Sequence, residues 1–217
     1  IPPRSTINAG DALPAARRWR SVAAGSSPLA EQYILAHEYG HHVQNLAGVL
    51  RSLGDTEAEL QAYDQSVADY ELIDRQRSGV PAIRQQLAIC LTDKGNLLQH
   101  LQRGRDAIAP LERAIVILDE LVTAYGRQEY YEQVAASRAM LGEVYRDLRR
   151  YEESEKLLRS ATDTYSQLAE AVPDVLAYVE RQAIARGQLG QTLAASDQTA
   201  NAVNELHTAA AEFDALL

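Results

Sequence analysis

Two histidines four residues apart, with a glutamate beside the first, are the residues in this sequence best suited to chemistry. They stand in His37-Glu38-Tyr39-Gly40-His41. On a helix, positions four apart share one face, one turn above the other. Two imidazoles so placed can hold one Zn²⁺. Glu38 beside them can act as general base on a zinc-bound water. Other chemistry is poorly represented. No Gly-rich phosphate loop, Ser-His-Asp order or metal-spaced cysteine cluster occurs. The single cysteine, Cys90, rules out an intrachain disulfide, and its apolar neighbours Ile89 and Leu91 mark it as a buried structural thiol.

The elements that must position these residues are helices. From Ser27 onward, apolar residues recur at three- and four-residue steps without β-type alternation. Breakers stand at Gly54-Asp55, Ser78-Gly79-Val80-Pro81, Gly104, Tyr125-Gly126, Pro173-Asp174 and Ser196-Asp197. They divide the chain into about eight helices of roughly 16–24 residues. Residues 1–27 read as an irregular arm, with a short helix over Pro14–Val22 and Trp19 among Arg17, Arg18 and Arg20 as a packing anchor. The chain has 217 residues, 24% of them charged, and a formal net charge of −9. That balance argues against a general nucleic-acid binder. No apolar stretch approaches a membrane span, and no signal-peptide pattern opens the chain. These features point to the cytoplasm as the expected setting. A chain starting at Ile1 reads as a fragment or a processed product.

The helices repeat. Leu141, Gly142, Tyr145, Ser154, Leu158, Ala161 and Tyr165 align without a gap to Leu189, Gly190, Leu193, Ala202, Leu206, Ala209 and Phe213, 48 residues later. Stepping back 47 from Gly142 reaches Gly95, followed by Leu98, Ala107, Leu111 and Ala114. A weaker first copy runs through Ala47, Leu50, Gly54-Asp55, Tyr63 and Ser66. Small residues let the two helices of a pair approach closely, and large ones fill the gaps between repeats. The pattern resembles the tetratricopeptide repeat, with a longer period. The resemblance implies an all-α solenoid of antiparallel helical hairpins, in about four repeats over 28–77, 81–124, 129–171 and 174–217. Such arrays bind peptides or partner proteins in a concave groove lined by the first helix of each pair. The groove residues expected from the register are Gln44, Arg51, Thr92, Asn96, Gln99, Glu143, Arg146 and Gln191.

The stretch Leu29–Gly48, LAEQYILAHEYGHHVQNLAG, resembles the motif helix of the neutral zinc metallopeptidase family. The resemblance implies His37 and His41 as zinc ligands and Glu38 as catalytic base. It implies Glu59, in Glu59-Leu60-Gln61-Ala62-Tyr63-Asp64, as third ligand, although Tyr63 stands where the family has an acidic residue. If Gly54-Asp55 turns a helical hairpin, Ala68 is level with His41, and Asp69 and Glu71 lie near that height. Glu59 is then displaced by roughly 13 Å at 1.5 Å per residue, unless the turn folds it back. The leading expectation is a protein-interaction scaffold without a cofactor or nucleic-acid or membrane partner. The alternative is a zinc metallopeptidase, or a degenerate remnant of one, fused to repeats.

Overall fold

The computed structural model describes residues 45–51, 54–76 and 79–216. Residues 1–27, His37, Glu38, His41 and Gln44 lie outside these described residues. Residues 45–51 are helical. They are followed by α1 (Thr56–Gln76), α2 (Pro81–His100), α3 (Gly104–Tyr125), α4 (Gln128–Asp147), α5 (Tyr151–Ala171), α6 (Leu176–Ala195) and α7 (Thr199–Asp214). No strand occurs among the described residues. No described helix is long and apolar enough to cross a membrane.

The hairpins close through one recurring turn. Gly54, Gln102, Arg149 and Asp197 all adopt left-handed φ, between 60° and 70°. The amide of the next residue returns to the carbonyl five positions back: Asp55 to Leu50, Arg103 to Leu98, Arg150 to Tyr145 and Gln198 to Leu193, at 2.8–3.1 Å. This 6→1 bond satisfies a carbonyl at each helix end that would otherwise lack a partner. Gly104, one of the expected breakers, opens α3, and the turn lies before it at residues 101–103. The Leu148-Arg149-Arg150 turn carries no glycine or proline and has no counterpart among those breakers.

Each hairpin is then drawn together by one contact. A Cβ on Gly95 would lie 2.5 Å from Leu111 Cγ, one on Gly142 2.7 Å from Leu158 Cγ, and one on Gly190 2.7 Å from Leu206 Cγ. In all three, the leucine follows its glycine by 16 residues. Around these contacts the small positions close the core. Ala107 and Ser154 are fully buried, as are Ala114 and Ala161. Ser154 keeps its hydroxyl satisfied 3.0 Å from Thr192 Oγ1.

Consecutive helices pack throughout, and in addition α2 touches α4 and α4 touches α6. The second helices α3, α5 and α7 do not approach one another to a comparable extent. Crowding the first helices and splaying the second ones curves the array, with α2, α4 and α6 on its concave side.

Gly142→Ala therefore overpacks a core contact. It is expected to lower unfolding free energy by about 1–3 kcal/mol. A Cβ on Gly187, inside α6, would meet nothing within 4 Å, so Gly187→Ala is expected to gain about 1 kcal/mol of helix propensity. Urea unfolding followed by circular dichroism measures both, and the opposite signs are the outcome expected.

Candidate functional site

The concave face is laced by polar contacts between successive first helices. Gln85 Nε2 donates to Gln133 Oε1 at 3.3 Å, and Gln99 Nε2 donates to Asp147 Oδ2 at 3.5 Å. Thr92 and Ser137 hydroxyls lie 2.9 Å apart. Arg146 Nη1 donates to Gln191 Oε1 at 2.8 Å, and its Nη2 lies 3.6 Å from Glu143. Thr92, Gln99, Glu143, Arg146 and Gln191 thus engage each other or the adjacent helix. Asn96 is half-buried on the same helix as Thr92.

Between α4 and α6 this lacing opens into a pocket of about 370 Å³. Ala136, Ala139 and Met140 of α4 face Ile184 and Ala185 of α6, with Tyr165 of α5 also lining it. Glu143, Glu180, Arg181 and Gln188 supply the polar groups. The space exists because two alanines of α4 stand across from the α6 side chains. Ile184 remains 44% exposed there. Burial raises the Tyr165 hydroxyl above its ordinary pKa, opposed by the Arg181 guanidinium beside it. Of the pocket residues, only Glu143 is among the expected groove positions. An apolar residue on a first helix outside the repeat pattern, Ile184, is the available signal for the rest.

A second polar cluster lies where the first hairpin meets α2. Arg51 donates through Nε and Nη2 to Glu59 Oε1, at 3.1 and 2.7 Å. Glu59 is completely buried, and its Oε2 has no hydrogen-bond partner. By repeat register it occupies the place of Ala107, Ser154 and Ala202, so a carboxylate replaces a small residue in this copy alone. The Gly54-Asp55 turn sets residues 51 and 59 at nearly the same height, which is why the pair forms. Asp93 of α2 faces this cluster. Burial pushes its carboxyl up to about 6, with Glu59 adding to the shift and Arg51 opposing it. Burial likewise pushes the Cys90 thiol up to about 12, with Asp93 contributing. Burial raises the Tyr63 hydroxyl as well. Among the described residues, no three His, Cys, Asp or Glu side chains are grouped so as to hold a metal ion.

The folded chain holds the Asp93 proton to higher pH than the unfolded chain does. Between about pH 4 and 6 the folded state binds more protons, so this group's contribution to stability falls as pH rises. Asp93→Asn is expected nearly to match the parent near pH 4 and to exceed it by about 2 kcal/mol at pH 7.5. Urea unfolding of both proteins at the two pH values reads the difference; a margin independent of pH contradicts it.

One hairpin matches a known repeat family. Residues 134–171, the α4–α5 hairpin apart from the start of α4, match the family model described as tetratricopeptide repeat. Uncharacterized proteins of Mycobacterium bovis and of Mycobacterium tuberculosis are 75% identical over 28 residues. That segment is 12% of this chain and 10% of each relative. A solved kinesin light chain-type protein of Podosopora anserina, with nearly identical TPR-like repeats, is 16% identical with a TM-score of 0.40. The alignment covers 79% of this chain and 93% of that one. BtubC (BKLC) of P. vanneervenii is 14% identical with a TM-score of 0.37, over 88% and 93% of the two chains. The recurring hairpin geometry and the matched repeat carry the assignment: the described residues form a tetratricopeptide-like repeat array.

Proposed function

We propose that this array is a protein-interaction scaffold that holds a peptide or a segment of a partner protein against α2, α4 and α6. The observation that carries this reading is the α4–α6 pocket. Elsewhere on the concave face, side chains such as Gln99 and Arg146 already engage neighbouring helices. At the pocket, an apolar surface with polar groups around it remains open to a ligand. The acidic net charge, −9, disfavours nucleic acid as that ligand. A bacterial cytoplasmic setting is part of the same proposal.

Peptides selected from a random phage-displayed library on this chain test the proposal. Ile184→Asp is expected to weaken the selected peptides at least tenfold, through a charge placed in the apolar pocket. Val116→Asp, on the exposed surface of α3, is expected to leave them unchanged. Equal loss in both variants, or loss in neither, rules out the groove as the binding surface.

One observation favours the second reading, a zinc site on His37 and His41 with Glu38 as base. Glu59 is a buried carboxylate with one unpartnered oxygen, at a position where the other repeats have alanine or serine. The other oxygen is held by Arg51. With that guanidinium in place the carboxylate is already neutralised, and the pair does not fit the role of third zinc ligand. Metal analysis of untagged protein is expected to give well under one zinc per chain. About one zinc per chain, lost in His41→Ala, would reverse this preference.

A further inference from the structure

We infer that the α4–α6 pocket takes a lysine or arginine side chain from the bound peptide, its methylene stem on the apolar surface and its charged end at Gln188 and Glu180. The inference rests on the groove reading above and adds the chemistry of the ligand.

The stem follows from the lining. Ala136, Ala139, Met140 and Ile184 offer apolar surface in a space of about 370 Å³, and long cationic side chains bury their methylenes on such surface while keeping the charged end polar. The charged end follows from which polar groups remain unengaged. Gln188 lines the pocket, and its side-chain oxygen is buried without a hydrogen-bond partner. A buried acceptor left this way costs free energy that a ligand donor would recover. Lysine and arginine carry only donors. Glu180 is exposed beside the same pocket and has neither an ion pair nor a hydrogen bond among the described residues. The nearby positive charges, by contrast, are already engaged. Arg181 lies 3.4 Å from Glu132, with the Tyr165 hydroxyl also beside it. Arg146 reaches Gln191 and Glu143. The unengaged groups are thus the Gln188 amide, whose oxygen is the buried end, and the Glu180 carboxylate, the one unengaged charge. An acidic side chain could accept from the Gln188 amide nitrogen, but it would leave the Gln188 oxygen without a donor and would face the Glu180 charge. A purely apolar one would fill the space and leave the oxygen unpaired.

Fluorescein-labelled nonapeptide libraries with a fixed central residue and randomised flanks test this by anisotropy against the full chain. The central residue is lysine, arginine, norleucine or glutamate. The lysine and arginine libraries are expected to bind at least tenfold more tightly than norleucine, with glutamate weakest. Glu180→Gln and Gln188→Leu are each expected to narrow the lysine-to-norleucine ratio severalfold, with helical content and urea midpoint measured to show that both fold. Norleucine binding as tightly as lysine, glutamate binding more tightly, or a ratio unchanged in both variants overturns the inference. If norleucine or glutamate peptides bind and lose affinity in Ile184→Asp, the groove reading stands and only the cation is wrong. If none of the four libraries binds, both readings fall.

Discussion

The contact between a bare glycine backbone and a leucine 16 residues later is the interaction on which the rest of the molecule depends. At Gly95, Gly142 and Gly190 the facing leucine occupies the space that a side chain would need. The contact therefore fixes how closely the two helices of a hairpin can approach, and it does so at the same height in each copy. Ala47 and Tyr63 have the same spacing in the first copy and are both buried. Close packing makes the consequences rigid, because an interior at crystal-like density cannot absorb an extra methyl without moving a neighbour. With each hairpin closed to a set distance, the first helices come within reach of one another. The polar lacing of Gln85 to Gln133 and Gln99 to Asp147 can then span the repeats.

The turns show a different division of labour. Their geometry recurs, with left-handed φ at Gly54, Gln102, Arg149 and Asp197, while the residue type does not. Only the first is glycine, the residue with no steric penalty there. At the other three, the returning backbone hydrogen bond and the helix packing on either side hold a conformation that the side chain itself disfavours. The turn is thus imposed by the hairpin in those copies, and local sequence has little say.

That distinction explains what could be read in advance. The all-helical repeat was legible because Gly142, Leu158, Ala161 and Tyr165 recur as Gly190, Leu206, Ala209 and Phe213, and each of these positions has a steric reason to recur. The Gly54-Asp55 and Tyr125-Gly126 breaks were legible because glycine carries the left-handed residue at each. Leu148-Arg149-Arg150 was not, because arginine carries it there. At the candidate sites, a single helix's period is the wrong unit. The pocket arises from small Ala136 and Ala139 across from Ile184 and Gln188, a property of two helices together. Glu59 was visible as a carboxylate of interest, while its engagement by Arg51 depends on the levels set by the intervening turn. Counting outward from Gly54-Asp55 finds that pair as readily as it finds Ala68 opposite His41.

Burial in such an array belongs to the neighbour as much as to the residue. Leu111 and Leu158 are fully buried, and Leu206, at the equivalent position, is 41% exposed. Leu118 and Tyr165 are 1% and 3% exposed, against 41% for Phe213. The hairpin contact with glycine is present in all three copies, so the difference comes from the face that the next first helix covers in the earlier ones. A side chain of this size contributes about 1.5–3 kcal/mol when fully removed from water. Among the described residues, the α6–α7 hairpin packs on α4 and α5. The pocket lies in that interface. A ligand bridging Met140 and Ile184, as proposed, would add contacts across that interface, so its occupancy and the cohesion of the α6–α7 hairpin would be thermodynamically linked. Recognition at the proposed place would need no moving part: the surface offered to a ligand is the surface through which one repeat stabilises the next.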